Sequence, residues 1–257
     1  LRGKPGKKHY TIVRNRRVPI IDVPAENGHD LLTTIDINIQ DFADRTLRSK
    51  MKEEGVNGEI GVVVVMEVKT GDVKAIVNLT RGADGEYYEM KNNAVSDLWE
   101  PGSTFKTASI MIALEDGKID VNKVVDCAPG IVKMYGRNMK DHNWHKGGYK
   151  ELKVEDILGQ SSNIGVSKII DEAYSGNPSA YVDGLHRIGV GIPLNLPFVG
   201  KGEPYVPHPR NKERFWSKPD LPWMSIGYVT MLPPISTLTF YNAIANGGKM
   251  VRPRFVK

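Results

Sequence analysis

Two runs of β-branched residues separated by a short polar turn constrain the fold of this chain more than any other feature. Both runs lie within residues 60–79, IGVVVVMEVKTGDVKAIVNL, and the segment KTGD at residues 69–72 joins them. Valine and isoleucine favour extended backbone, and Gly71 can adopt the positive φ that a tight hairpin turn requires. The sequence therefore predicts an antiparallel hairpin at the centre of a sheet.

Helical patterns lie on both sides of this hairpin. Apolar residues recur at helical spacing in residues 34–55, 103–117, 150–173 and 236–246, and glycine ends the first, second and fourth of these patterns. The third pattern is interrupted at residues 159–163. A sheet with antiparallel pairing and flanking helices indicates the α+β class.

The charge of the chain is uneven. The net charge is +5, and residues 1–17 are rich in lysine and arginine without any acidic residue. The remainder is nearly balanced and has no basic run with interleaved aromatics, so we expect no nucleic-acid partner. Strand-like residues 1–25 are interpreted as the tail of a preceding unit, and residues 26–257 as the main domain.

The single cysteine and the first residue bear on the origin of the chain. Cys127 has no partner for an intrachain disulfide, and we expect it in the core. No apolar stretch reaches the roughly 20 residues of a membrane helix. Because the chain begins at Leu1 rather than methionine, we expect a processed or excised piece, and the sequence leaves open whether an anchor precedes it.

Ser103 and Lys106 form a candidate nucleophile and base. Residues three apart share a helix face, so the hydroxyl and the amine would lie side by side. Serine attacks a carbonyl only after a neighbour takes its proton, and lysine can do so only when neutral. Apolar neighbours such as Phe105 and Ile110, together with the helix dipole, favour the neutral amine.

This S-x-x-K pattern is weak when taken alone. Ser49 and Lys52 match it as well, but they lie in a charged amphipathic helix whose polar face is exposed to solvent. From the residues alone, Ser103 can equally be a helix N-cap with a surface lysine three residues later.

A second motif, Ser161-Ser162-Asn163, falls at the interruption between two helical patterns. A hydroxyl and an amide two residues apart at a helix break can point into one cleft, although a helix N-cap explains them too. Ser175 and Asn177 also match S-x-N, but glycine and proline beside them indicate an exposed turn.

The chain resembles the class B penicillin-binding proteins from about Gly28 to its end. WEPGSTFK, QSSNIGVSK, SIGYVTMLPP and FYNAIANGGKMVRPRFVK occur in that family's order and approximate spacing. The resemblance implies a β-lactamase-like transpeptidase fold, with an antiparallel sheet, flanking helices and an all-helical subdomain. It also implies that residues 1–25 end a non-catalytic pedestal region.

The resemblance further implies roles for individual residues. Ser103 would attack the carbonyl between the last two D-alanines of a peptidoglycan stem peptide, and Lys106 would take its proton. Ser161 would pass a proton to the leaving nitrogen, while Asn163 would bind the substrate amide and steady Lys106. Neither a cofactor nor a metal is implied. Further substrate contacts are expected from Trp99, Ser162, Gly227 and Tyr228.

This sequence departs from the family pattern at the third motif, K-[ST]-G. Lys69-Thr70-Gly71 precedes Ser103 and lies in the predicted hairpin turn, so we expect no catalytic role for it. The sequence ends at Lys257, where relatives head toward this motif. The domain is therefore expected to be C-terminally incomplete, and an oxyanion donor from the missing strand would be lost, which leaves this chain poorly active or inert.

Several functional alternatives stay open. The phrases IGY and TFYNAIANGGK resemble the cell-division (septal) type, which implies stem peptides, β-lactams and other division proteins as partners. It also implies anchorage in the cytoplasmic membrane with the domain on the periplasmic side. The alternatives are an elongation-type transpeptidase, a β-lactamase or sensor, and a non-catalytic scaffold for division partners.

A metal site is a further alternative. Asp141, His142 and His145 lie within five residues, and two histidines in a turn can bind zinc. No convincing additional ligand set accompanies them, so we expect a polar loop near the cleft rim. His186 and His208 are expected to be surface or packing residues.

Overall fold

The computed structural model describes residues 2–53, 55–212 and 215–257. Its strands are β1 Lys7–Val13, β2 Arg16–Val23, β3 Ile60–Met66, β4 Val73–Arg81, β5 Tyr87–Tyr88, β6 Val124–Asp126, β7 Ile131–Met134, β8 Arg137–Lys140 and β9 Glu151–Lys153. Its α-helices are α1 Ile37–Met51, α2 Asn93–Ser96, α3 Lys106–Glu115, α4 Val154–Gly159, α5 Asn163–Tyr174, α6 Pro178–Arg187, α7 Asp220–Ser225 and α8 Pro234–Ala245.

The predicted hairpin is confirmed as strands β3 and β4. They pair antiparallel with Val63 opposite Val77, and Gly71 in the connecting turn has φ +76°. Strand β5 pairs with the other edge of β4. Only β4 is therefore central in the described part of this sheet, whereas β3 lies at its edge.

Helix α1 covers one face of this sheet. The Asp36 carboxylate caps the helix by accepting hydrogen bonds from the backbone N–H groups of Asn38 and Ile39. Three alternate residues of β4 are fully buried against this helix: Ala75, Val77 and Leu79. Alternate side chains of β4 point to the same face of the sheet, and there they form a core with the apolar face of α1.

A second, larger core lies among the helices, with α3 near its middle. Ile110 and Ile112 of α3 and Ile169 and Ile170 of α5 are each at most 1% exposed. Burying such a side chain contributes roughly 1.5–3 kcal/mol. Cys127 is fully buried in the same core, which confirms the prediction for it.

Helix α8 connects the sheet to the helical core. It packs on β3 and α2, and the side-chain amide of Asn242 donates to the Val68 carbonyl at 3.0 Å. Antiparallel strands and separate helices confirm the predicted α+β class.

The first two strands form a hairpin of their own. Strands β1 and β2 pair along their lengths, and almost every residue of both is exposed. The pairing continues to Lys4 and Glu26, whose backbones exchange two hydrogen bonds of 3.0 Å. The domain boundary near residue 26 stays a prediction. Among the described residues, no helix is both long and apolar enough to cross a membrane.

Candidate active site

Ser103 lies in a tight turn that leads into helix α3. Gly102 has φ +55°, and Gly102–Phe105 form one turn of 3-10 helix before α3 begins at Lys106. The predicted helix start at Ser103 is thus a 3-10 turn instead of an α-helical one. Thr104 supports the turn, because its hydroxyl donates to the Pro101 carbonyl at 2.7 Å. The Ser103 side chain is exposed at this position.

Lys106 is buried and bound to the second motif. Only 2% of its surface is exposed, and its amine donates to the Ser161 carbonyl at 2.6 Å and to the Ser161 hydroxyl at 2.9 Å. Burial lowers the pKa of Lys106 to about 8, and the negative charge of Asp141 partly opposes that shift. About a tenth of the amine is therefore neutral at pH 7, far more than for a lysine of ordinary pKa.

Ser161 reaches Lys106 because its backbone has an unusual conformation. Its φ is +54°, in the left-handed region that residues other than glycine seldom adopt. The residue lies between α4 and α5, and its N–H donates to the Leu158 carbonyl at 3.0 Å. This turn presents both the carbonyl and the hydroxyl of one residue to the same amine.

The buried carboxylate of Asp141 binds the first residues of helix α5. Its carboxylate is 1% exposed and accepts hydrogen bonds from the Ser162 hydroxyl at 2.9 and 3.0 Å and from the Ile164 N–H at 3.0 Å. Ser162 in turn accepts from the Gly165 N–H at 2.9 Å. These contacts connect the helix terminus to the buried charge that faces Lys106.

The expected substrate contact of Ser162 is contradicted by this arrangement. Its side chain is fully buried, and its hydroxyl is used by Asp141 and by the helix terminus. Ser162 is the N-cap of α5, the structural alternative that the motif always allowed.

Asn163 is less closely joined to the lysine than expected. Its amide donates to the Lys140 carbonyl at 2.7 Å, and no hydrogen bond connects it to Lys106 in the described residues. Ser103 and Lys106, which we expected to lie side by side, are likewise not joined by a hydrogen bond among the described contacts. Catalytic hydrogen bonds often tighten only when substrate binds.

A loop after α7 supports the nucleophile turn. The Gly102 N–H donates to the Gly227 carbonyl at 3.1 Å, and a Cβ on Gly227 would lie 2.0 Å from the Gly102 carbonyl oxygen. Gly227 is therefore required for this close approach and has φ +87°. Tyr228 and Trp99 are 46% and 38% exposed, so their rings are accessible for the expected substrate contacts.

Glu100 is a residue that the sequence analysis missed. Its carboxylate accepts a hydrogen bond of 2.8 Å from the Val229 N–H. Val229 has φ +68°, a rare conformation for a β-branched residue, and it follows directly on the exposed Tyr228. The carboxylate thus helps to fix the loop that borders Ser103. In the sequence, the only feature that could have marked Glu100 as functional is its position directly before Pro101 and Gly102.

The rejected motif matches lie elsewhere. Lys52 pairs with Glu86 at 2.5 Å at the end of α1, and Lys69 and Thr70 lie in the β3–β4 turn. Ser175 and Asn177 are exposed after α5. None of these residues hydrogen-bonds to Ser103, Lys106 or Ser161 in the part of the chain that the structure describes.

The histidine-containing loop does not gather its side chains. His142 hydrogen-bonds to the Tyr149 hydroxyl at 2.9 Å, whereas the Asp141 carboxylate points into the core. His186 and His208 stack with ring centroids 6.4 Å apart. Within residues 2–53, 55–212 and 215–257, no three or more histidine, cysteine, aspartate or glutamate side chains are grouped to hold a metal ion.

An accessible serine, a buried lysine of lowered pKa and a second serine bound to that lysine are the groups that serine–lysine acyl transfer requires. The chain belongs to the penicillin-binding protein transpeptidase domain family, whose model matches residues 61–257.

Individual relatives support the assignment. Peptidoglycan D,D-transpeptidase FtsI of Escherichia coli K12 is 32% identical over 255 residues, which cover 96% of this chain and 41% of that protein. The protein of the same name from Buchnera aphidicola is 28% identical, covering 96% of this chain and 42% of the relative. The chain thus spans about two fifths of the length of these relatives.

A solved structure confirms the fold. Penicillin binding protein 3 from Mycobacterium tuberculosis, complexed with ampicillin, superposes with a TM-score of 0.76 at 27% identity. The match covers 91% of this chain and 50% of that one. The predicted penicillin-binding transpeptidase fold is therefore confirmed.

Proposed function

We propose that the protein is a serine D,D-transpeptidase that crosslinks peptidoglycan stem peptides, with Ser103 as its nucleophile. Lys106 lies one helical turn after Ser103. The observation that carries the proposal is the contact of its buried amine with Ser161. The relatives that share this domain are named peptidoglycan D,D-transpeptidases. A lysine of ordinary pKa could not serve as base near neutral pH.

The first step forms an acyl-enzyme. The Ser103 oxygen attacks the carbonyl carbon between the last two D-alanines, and neutral Lys106 takes the hydroxyl proton. The bond between this carbon and the nitrogen then breaks, and the terminal D-alanine leaves with a proton delivered through Ser161. The N–H of Ser103 at the helix start stabilises the oxyanion, a contribution of several kcal/mol when such a donor is well placed.

The second step resolves the acyl-enzyme. An amine of a neighbouring stem peptide attacks the same carbonyl and gives up a proton to Lys106. The bond to the Ser103 oxygen then breaks, and this oxygen takes the proton back from Lys106 as its hydroxyl is restored. The product is a new amide crosslink. Asn163 is proposed to bind the substrate amide, while Trp99 and Tyr228 border the acyl group from the nucleophile side.

β-Lactams are proposed to acylate the same serine. Their strained amide carbonyl resembles the D-alanyl-D-alanine amide, and the M. tuberculosis relative is described in complex with ampicillin. Because the β-lactam leaving nitrogen stays attached to the acyl group, the adduct persists. We also propose a septal role with other division proteins, and a membrane-anchored protein whose catalytic domain lies in the periplasm, in line with the FtsI names.

The transpeptidase reaction can be tested with the protein expressed from its complete gene. A synthetic stem peptide ending in D-Ala-D-Ala is incubated with an amine acceptor, and released D-alanine and crosslinked product are measured. We expect both to be lost in Ser103→Ala and kept in Ser49→Ala, the matched serine of the rejected motif. Full activity in a folded Ser103→Ala protein would refute the proposal, and absence of activity in the folded unsubstituted protein would favour a non-catalytic scaffold.

A further inference from the structure

A second cleft lies at the far end of helix α5 from Ser161 and Asn163. Its volume is about 440 Å³, and Tyr135, Asp171, Trp216 and Lys218 line it. Asp171 lies eight residues after Asn163 on the same helix, which places the two roughly 12 Å apart along the helix axis. None of the residues that line this cleft belongs to the Ser103 site.

Tyr135 forms one wall of the cleft in a strained conformation. It occupies the tip of the β7–β8 hairpin with φ +48°, followed by Gly136 with φ +85°. Such two-residue turns favour asparagine, aspartate or glycine at this position, and a bulky aromatic is uncommon there. Residues held in this region often serve function. The ring is 41% exposed, so one face is accessible from the cleft.

Asp171 holds Tyr135 in place. The Tyr135 hydroxyl donates to both carboxylate oxygens, at 2.9 and 3.1 Å. Partial burial raises the pKa of Asp171, and the hydrogen bond from Tyr135 opposes that change. No cation pairs with this carboxylate among the described residues. Since a carboxylate has about four acceptor positions, Asp171 can still accept hydrogen bonds from a ligand.

Trp216 and Lys218 also line the cleft. Trp216 packs against the main core and is only partly exposed, so its indole is fixed. Lys218 is exposed and makes no ion pair with the residues that the structure describes. The cleft therefore combines two aromatic side chains, a hydrogen-bond acceptor and a cationic donor, which is the mix of apolar wall and few polar groups expected of a ligand site.

We propose that this cleft binds an N-acetylated saccharide, namely a sugar unit of a glycan chain. The C–H face of a pyranose ring packs on aromatic side chains, sugar hydroxyls donate to Asp171, and an acetamido carbonyl accepts from Lys218. A phosphorylated ligand fits less well, because its charge would meet the Asp171 carboxylate.

The natural ligand follows from the site nearby. Peptidoglycan stem peptides are carried on chains of N-acetylated sugars, so the cleft would hold the glycan of the same substrate; this identification rests on the proposed function. Glycan bound roughly 12 Å along α5 from Asn163 would restrict where an attached stem peptide can lie. Such restriction reduces the entropy cost of presenting the peptide to Ser103.

Saccharide binding can be measured without any catalytic step. Tri-N-acetylchitotriose is titrated into the protein expressed from its complete gene, and affinity is followed by calorimetry and tryptophan fluorescence. We expect saturable binding, weakened at least about tenfold by Trp216→Ala through loss of an aromatic contact. The matched control is Trp144→Ala, since Trp144 is 44% exposed with Lys140 over its ring but lies outside the cleft.

Two milder variants keep the test decisive if Trp216→Ala does not fold. Lys218→Ala removes an exposed side chain, and Asp171→Asn keeps the shape of the carboxylate, so both should fold and bind about three- to tenfold more weakly through loss of hydrogen bonds. No saturable binding by the folded protein, or equal weakening by Trp144→Ala, would overturn the proposal. Labelling of Ser103 by penicillin is independent of this result, so a failure of the saccharide site is distinguishable from a failure of the proposed function.

Discussion

The pKa of Lys106 should control the pH dependence of Ser103 acylation. With a pKa of about 8, about 9% of the lysine is neutral at pH 7, against about 0.03% for an ordinary pKa of 10.5, a gain of about 300-fold. The acylation rate should therefore rise about tenfold between pH 6 and pH 7 and level off above pH 8. Stopped-flow measurement of acylation by a fluorescent penicillin, on the protein expressed from its complete gene, gives this profile.

Asp141 provides a directed change to the same profile. Its charge raises the pKa of Lys106, so Asp141→Asn should move the midpoint of the profile below that of the unsubstituted protein. Asp41→Asn is the matched control, because Asp41 is an exposed carboxylate on α1 paired with Arg45, and it should leave the midpoint unchanged. A shifted midpoint reports this electrostatic effect, whereas a general loss of activity lowers the plateau of the rate at high pH without moving the midpoint.

A midpoint near the ordinary lysine pKa, or an acylation rate that does not change between pH 6 and pH 9, would refute the role of Lys106 as the base. A midpoint that Asp141→Asn leaves in place would refute the part assigned to Asp141. Circular dichroism of each variant establishes that the fold is kept. The pH profile of the unsubstituted protein by itself tests whether the pKa of Lys106 controls acylation.

Three further predictions concern stability and packing. Lys106→Met should stabilise the fold by about 1–3 kcal/mol at pH 7, because the lowered pKa reports a buried ammonium that costs about 3 kcal/mol. Between about pH 8 and pH 10.5, Lys106 keeps its proton only in the unfolded state, so the unsubstituted protein gains stability as pH rises. The stability advantage of the variant, measured by urea denaturation, should therefore shrink over that range. A constant difference in stability would contradict this prediction. Ser162→Ala should cost about 1.5–3 kcal/mol in the same assay by leaving buried Asp141 short of a hydrogen bond, and a loss under 0.5 kcal/mol would be incompatible with that role. Gly227→Ala should lower the melting temperature and abolish penicillin labelling, because its Cβ would meet the backbone of Gly102, whereas Gly117→Ala has open space around it and should keep labelling; equal labelling of the two would speak against the close approach.

Local sequence patterns predicted the parts of the fold that depend on neighbouring residues. The hairpin around Gly71 and helix α1 with its end before Gly55 follow from residue preferences and period. The burial of Lys106 follows from its apolar neighbours. The 3-10 turn at Ser103 was not predictable, because 3-10 and α-helical starts share the same short-range preferences.

Contacts between distant residues were not available from the sequence. Asp141 lies 21 residues before Ser162, and no local pattern marks it as the acceptor beneath helix α5. The left-handed backbone of Ser161 and Val229 has no sequence signal either, since tertiary contacts impose it on residues that seldom adopt it. Ser162 was placed on the substrate side because its motif neighbours point there, whereas the N-cap geometry turns it into the core.

Covalent labelling can establish whether Ser103 is the nucleophile and whether Lys106 activates it. The protein expressed from its complete gene is treated with a fluorescent penicillin, and intact mass and peptide mapping locate the adduct. We predict one adduct on Ser103, absent from Ser103→Ala and from Lys106→Met and retained in Ser49→Ala. An adduct on another residue, or none on a folded unsubstituted protein, would contradict the claim.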